Sequence, residues 1–352
     1  MSSPAILLTG ATGFLGMEVL ARLLERSDRD VVCLVRAGDA AAADGRLERV
    51  LATLYDDPAP YRERVRALYG DLTTELPQPE GEIDVVCHCA ASIVFDLPLE
   101  EARETNLEGT RAMLALARKA GARRFVHVST AYVAGERPGR FSETMLDEGQ
   151  RFRNTYEQTK FEAERMIAEV DDLSVAVARP SVVMGESDTG WTPAFNVLYW
   201  PLRAFARGLF EQIPAKPDGR VDVVPVDYVA DGIFALCGNG ATGVFNLVAG
   251  EEAATVNELA DLACTHFGRP RPPFVDSGAF GAATADEHGA VYLPYFDMDV
   301  LFDDARTRGE LGLRAPKLAS YFDTLMDYAD LARWGKGGST RDQARAAVRA
   351  VG

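Results

Sequence analysis

Thr9-Gly10-Ala11-Thr12-Gly13-Phe14-Leu15-Gly16 decides how this chain is read. The apolar run Ala5-Ile6-Leu7-Leu8 precedes it, and Val19, Leu20, Leu23 and Leu24 follow at helical spacing, so the order is strand, glycine turn, helix. Glycines at 10, 13 and 16 allow a tight turn, close approach of a pyrophosphate, and packing of the helix on the strand. The helix N-terminus adds N–H groups and a partial positive charge. Gly10, Thr12, Gly13, Phe14, Leu15 and Gly16 are therefore candidate dinucleotide-binding residues.

Working outward, Val31-Val32-Cys33-Leu34-Val35 is a second buried-strand run, and it ends in Arg36. Many NAD-binding folds place an acid here to hold the ribose hydroxyls, whereas arginine suits a 2′-phosphate, so the expected cofactor is NADP (as NADPH). Asp39, close by, keeps NAD as the rival. Asp71 and Leu72 close a third strand, where the acid is a candidate partner of the adenine amino group or a turn residue. Ile83 to Cys89 runs into Ala90 and Ala91, small residues that let a cofactor pass close to the sheet. Cys87-His88-Cys89 has the look of metal ligands, but strand alternation sends His88 to the opposite face, so no metal is expected.

Asn106 leads into a helix that Gly121 ends, and Phe125 to Thr130 is a strand finishing on the hydroxyls of Ser129 and Thr130. Tyr156 and Lys160, four apart, share one helix face. Val175 to Gly185 gives another strand and its exit through Pro180, Ser181 and Val182. Alternating strands and helices predict an α/β fold with a Rossmann-type, doubly wound parallel sheet, whose strand ends gather these segments at one crevice.

Residues 1–185 are read as a dinucleotide-binding domain completed by about 221–250. Residues 186–220 and 251–335 are read as a smaller C-terminal substrate-binding part, and 336–352 as a tail, with the stretch from Trp334 loosely held before a short Ala/Arg helix. Val221 to Asp227 reads as a strand, with a helix from Tyr228 to Leu236. The aromatic stretch Trp191 to Phe210 is either core or the lining of an acyl tunnel.

The chain has 352 residues, 47% hydrophobic and 26% charged, enough for a large core, and it shows no internal repeat. A formal charge of -16 argues against a nucleic-acid surface, and no apolar run reaches membrane-spanning length. Five scattered cysteines and no basic leader fit a reduced, cytoplasmic protein without disulfides.

A phenol is a poor acid at neutral pH unless a nearby cation favours phenolate. Lys160 is the expected cation and also a candidate to hold the nicotinamide ribose. Tyr156 would then protonate a carbonyl receiving hydride, with Thr130 hydrogen-bonding the same oxygen.

Through the glycine turn, Asn106, Ser129-Thr130 and Tyr156-x-x-x-Lys160, the sequence resembles the extended short-chain dehydrogenase/reductases. Cys33-Leu-Val-Arg-Ala37, His88 to Phe95, Asn106 to Thr110, His127 to Val133, Ala178 to Gly185 and Val223 to Asp227 are most similar to thioester reductases: the terminal reductase domains of carboxylic acid reductases and peptide synthetases, and the fatty acyl-CoA reductases. The resemblance implies Thr130, Tyr156 and Lys160 as the catalytic set, Arg36 at the NADP phosphate, and Pro180-Ser181-Val182 backbone at the nicotinamide carboxamide. It implies reduction of an acyl thioester through a hemithioacetal to aldehyde, with a second hydride giving alcohol. No adenylation or carrier segment stands ahead of the glycine turn, so a freestanding enzyme taking acyl-CoA or an acyl-carrier protein thioester is expected. Arg203 and Arg207 are candidates for a carrier docking patch.

Three alternatives remain: a steroid or alcohol dehydrogenase, a nucleotide-sugar epimerase or dehydratase, and a non-catalytic dinucleotide-sensing protein. Arg36 disfavours the second, and retention of both Tyr156 and Lys160 disfavours the third.

Overall fold

The run Ala5–Thr9 forms β1, and all five residues are buried because helices cover both faces of the sheet it enters. The structure, a computed structural model, describes residues 4–195, 197–275, 293–296 and 298–351. The other strands of the main sheet are β2 (Val31–Val35), β3 (Val65–Tyr69), β4 (Ile83–His88), β5 (Arg124–Val128), β6 (Ser174–Pro180) and β7 (Gly243–Leu247). They lie in the order β7-β6-β5-β4-β1-β2-β3, every pair parallel. The order reverses between β1 and β4, which is where a doubly wound sheet opens a crevice.

Helices α1 (Phe14–Arg26), α2 (Ala40–Leu54), α3 (Gly109–Lys119) and α4 (Thr155–Ala168) cover the sheet. Asp39 caps α2, its carboxylate accepting from the Ala42 N–H at 2.7 Å. Asn154 caps α4 in the same way, accepting from Glu157 N–H at 3.0 Å. These caps fix the starts of the two helices.

The smaller C-terminal region contains α5 (Tyr199–Ala206), α6 (Val226–Gly238), α7 (Val256–Phe267), α8 (Phe322–Leu331) and α9 (Arg341–Val351), although α6 also packs on α1 and β7 returns to the main sheet. Where one strand was read from Val221 to Asp227, the chain makes two short ones, Arg220–Val221 and Val223–Pro225, and α6 starts at Val226. Pro225 is extended, and Asp227 in the first turn complements the helix dipole. A separate apolar core, including Tyr132, Phe141, Leu202 and Phe322, knits this region together.

The short Ala/Arg helix of the tail, α9, is anchored at Arg341. Its side chain is fully buried and lies 2.8 Å from Glu18, 2.6 Å from Glu25 and 2.9 Å from Glu186. Three carboxylates around one guanidinium anchor α9 to α1. Among the described residues no helix is long and apolar enough to cross a membrane.

Candidate active site

The glycine turn is shaped by contacts that exclude a side chain. Gly10 has φ +77°, and a Cβ there would stand 2.8 Å from Ala90 N; at Gly16 it would stand 2.1 Å from Gly10 O. Around Gly13, by contrast, a Cβ would meet only Gly10 O, at 3.4 Å. Gly13 is exposed at the start of α1, and no side chain caps that helix. The N–H groups of Phe14, Leu15 and Gly16 in the first turn are thus suited to an anion, and the residues present fit a dinucleotide pyrophosphate. Ala90, just past the end of β4, lies directly beside Gly10, and Ala91 follows it.

Arg36 follows β2 directly, its side chain 75% exposed and 4.0 Å from Asp71. Beside it stands Arg46 of α2, whose guanidinium donates to the Arg36 carbonyl and, at 3.3 Å, to Thr12 Oγ1. Sequence reasoning passed over Arg46, which looks like any solvated helix arginine. Leu72 lies over Gly109, 3.0 Å from where a Cβ would stand. Asp39, the residue that kept NAD in contention, is committed to its capping bond.

A buried chain of hydrogen bonds joins the glycine turn to the Tyr156 helix. Ala90 N–H donates to Thr9 Oγ1 at 3.0 Å, and Thr9 Oγ1 meets His88 Nδ1 at 2.8 Å. His88 Nε2 lies 3.1 Å from Thr110 Oγ1, which donates to Asn106 O at 2.7 Å. With the Thr110 proton so used, His88 carries its hydrogen on Nε2 and accepts from Thr9 at Nδ1. Asn106 brackets Ser92, accepting from its N–H and donating to its carbonyl, and donates to Thr159 Oγ1 at 3.0 Å. His88 is held neutral, its pKa pushed down to about 3 by burial and by the Lys160 charge. Cys87 and Cys89 share the other face, their sulfurs 3.7 Å apart. Among the described residues no cluster of His, Cys, Asp or Glu could hold a metal ion.

Ser129 and Thr130 follow β5, both buried. The Ser129 N–H donates to Ala178 O at 2.7 Å, while its buried Oγ has no protein partner. Thr130 Oγ1 lies 3.4 Å from Pro180 O and caps the next helical turn through Tyr132 N–H. Ser181 and Val182 donate their backbone N–H groups to Leu247 O and Asp222 O. Asp222, unremarkable in sequence, is buried and accepts from Ser181 Oγ at 2.5 Å and from the N–H groups of Ala249 and Gly250. Burial lifts its pKa to about 6 against those hydrogen bonds.

Tyr156 stacks on Phe95, with ring centroids 5.6 Å apart. Loss of water around the phenol pushes its pKa up to about 12; a hydrogen bond with Thr130 pulls it down and the Glu157 charge adds to the rise. The lowering expected from Lys160 is not among these causes. The Lys160 ammonium, fully buried, points instead to the strand, donating to Val128 O at 2.8 Å and standing 3.1 Å from His127 Nε2. Burial brings its own pKa down to about 8. Tyr156 and Thr130 therefore meet, while the Lys160 amine is turned to β5.

Residues 8–233 match the family described as male sterility protein. Fatty acyl-CoA reductase 1 of Mus musculus is 31% identical over 271 residues, an alignment covering 64% of this chain and 53% of that protein. The chain thus matches about half the length of such curated relatives. The terminal R domain of the myxalamid PKS-NRPS biosynthetic pathway superposes with a TM-score of 0.78 at 25% identity, covering 96% of this chain and 93% of that one. A thiolation-reductase di-domain from an archaeal non-ribosomal peptide synthetase shares the fold, with a TM-score of 0.75 at 22% identity, over 94% of this chain and 76% of that one. The glycine turn, the parallel sheet and the match across residues 8–233 place the chain in the male sterility protein family, an NAD(P)-dependent branch of the extended short-chain dehydrogenase/reductases.

Proposed function

We propose that this protein uses NADPH to reduce an acyl thioester, acyl-CoA or an acyl-carrier thioester, to the aldehyde, and with a second hydride to the alcohol. The observation that carries this reading is the hydrogen bond of Tyr156 with Thr130 beside Pro180, with Lys160 one turn along the same helix, in a chain whose second strand leads into Arg36.

NADPH, when bound, supplies the hydride. The turn from Gly10 to Gly16 receives the pyrophosphate, with Ala90 and Ala91 leaving room beside it. Arg36 and Arg46 share the 2′-phosphate, a doubly charged group that two forked donors suit better than one. Asp71 and Leu72 border the adenine. Asn106 and Ser129 would line the path to the nicotinamide, and Pro180, Ser181 and Val182 would hold it. As the substrate carbonyl oxygen gains charge, Tyr156 donates its phenolic proton and Thr130 donates a hydrogen bond. A phenol near 12 stays protonated throughout the neutral range, as a donor must. Lys160 has two of its three N–H groups fixed on the strand and offers the third to the ribose. The resulting hemithioacetal then releases thiol and leaves aldehyde.

An apolar cleft of about 600 Å³, including its open mouth, supports a hydrocarbon tail over a sugar. Leu202, Phe205, Phe210, Val256 and Phe296 line it. Tyr295, next in the chain to Phe296, packs on Phe95, which stacks on Tyr156. An acyl carrier is the favoured macromolecular donor, and α5 with Arg203 and Arg207 is its proposed landing place.

Purified protein supplied with NADPH and saturated acyl-CoA and acyl-carrier thioesters of graded length tests the reading. Oxidation of NADPH with release of aldehyde or alcohol is expected. Turnover of a sterol or nucleotide sugar, with every thioester inert, overturns it.

A further inference from the structure

His127 occupies an unusual position for a core residue. It lies on β5, is fully buried, and faces a lysine amine rather than an acid or a hydroxyl. An ammonium has three donors and no lone pair, so at 3.1 Å from Lys160 Nζ the His127 Nε2 must be the acceptor. The ring hydrogen is then on Nδ1, a buried atom with no partner. A buried N–H without an acceptor is costly, and the fold tolerates it here to keep a lone pair on the lysine.

We propose that His127 is a positioning residue for Lys160: its neutral ring, with the Val128 carbonyl, fixes the direction of the amine and steadies its charged form without a carboxylate partner. The inference rests on the reading of Lys160 given above. Two acceptors on one strand hold two N–H groups, so the third is turned away from β5. A neutral acceptor also leaves the amine free to release its proton near neutrality, where a carboxylate would lock it on.

The surrounding charges agree with this role. Glu164, one turn along α4, favours the ammonium, but it is occupied by Arg179 of β6, with contacts of 3.0 and 2.6 Å. From the end of β4, Cys89 acts in the same direction as Glu164. His88, whose ring centroid is 5.5 Å from that of His127, is neutral and bound to Thr9 and Thr110. Tyr156, one turn earlier on α4, stays protonated. Burial, Lys160 and His88 all press the His127 pKa down, so its lone pair is available across the working range.

The test compares His127→Phe, which removes the acceptor, with His127→Gln, whose side-chain oxygen reaches a similar point. Two readouts are followed: titration of the Lys160 Cε resonance by NMR without substrate, and the pH dependence of kcat with NADPH and an acyl thioester. In His127→Phe the lysine midpoint and the alkaline limb of kcat should both fall by about one pH unit, a tenfold change in proton affinity, while His127→Gln stays near the parent. Should His127→Phe fail to fold, the inference stands or falls on His127→Gln against His127→Asn, whose shorter amide cannot reach Lys160 and should show the fall. An unmoved midpoint and limb in a folded variant lacking the acceptor would overturn the proposal. A parent protein inert to thioesters would defeat the proposed reaction, yet the NMR midpoint would still decide the role of His127.

Discussion

Arg341, in the last helix, lies 2.8 Å from Glu18 in the first, and neither side chain touches solvent. Glu186 stands on the same guanidinium at 2.9 Å. Burial raises the Glu18 pKa to about 7, the Glu186 charge adds to the rise, and Arg341 and Arg22 oppose it.

Replacing Arg341 by leucine should therefore cost about 3–5 kcal/mol, since the buried Glu18 loses its main counter-charge and Glu186 is left with Arg345 alone. The loss should depend on pH. A carboxyl whose folded pKa lies above its unfolded value binds its proton more tightly when folded, so stability falls as pH rises from 4.5 through about 7. Removal of Arg341 widens that gap. Urea melts of Arg341→Leu should show a smaller deficit at pH 5 than at pH 7.5; an equal deficit at both would remove Glu18 from the explanation.

Tyr156→Phe should lower kcat by about 10²–10⁴-fold, the usual worth of a positioned proton donor. NADPH binding, followed by nicotinamide fluorescence, should change less than threefold by the same reasoning, because the phenol holds no part of the phosphate or adenine sites. Undiminished turnover would strip Tyr156 of its role.

The alkaline side of the rate profile should belong to lysine rather than tyrosine. The Lys160 amine titrates at about 8 and the phenol at about 12. Measured in the free enzyme through kcat/KM, activity is expected to fall above pH 8 as the ammonium is lost. A plateau extending past pH 10 would contradict this assignment.

Arg36→Ala and Arg46→Ala should each weaken NADPH about tenfold or more, as expected for a charge-assisted hydrogen bond, while NADH affinity barely moves. The informative quantity is the ratio of the two dissociation constants. If Arg46→Ala leaves that ratio intact, Arg46 serves only to brace Thr12 and the Arg36 carbonyl.

Phe205 and Phe195 should separate. Phe205 lines the apolar cleft, whereas Phe195 stacks on Tyr328 and meets Tyr199 edge-on. Phe205→Ala should shift the preferred acyl length upward, seen in kcat/KM across a chain series. Phe195→Ala should lower the melting temperature and leave that preference where it was.

Local patterns made the sheet legible: β1 and β2 are uninterrupted apolar runs, and the glycine turn sits between strand and helix where phosphate chemistry needs it. Tyr156 and Lys160 were legible because helical spacing alone brings them to one face. What sequence spacing could not convey was direction across strands. The pairing of Thr9 with His88 depends on the register of β1 against β4, set by contacts far apart in the chain. The turn of Lys160 toward His127 likewise depends on how α4 lies over β5. Arg341 sits in a stretch rich in alanine and arginine, and its burial follows from carboxylates on Glu18, Glu25 and Glu186 that only the folded chain assembles.

One strand of the sheet comes late. Residues 181–242 separate β6 from β7, so a ribosome adding roughly 5–20 residues per second needs roughly 3 to 12 s to supply the partner of β6. During that interval the nascent chain presents an unpaired parallel edge, the surface most prone to stick to a neighbouring polypeptide. Arrival of Gly243–Leu247 seals it. Insertions in the intervening stretch would lengthen that exposure in proportion to the residues added.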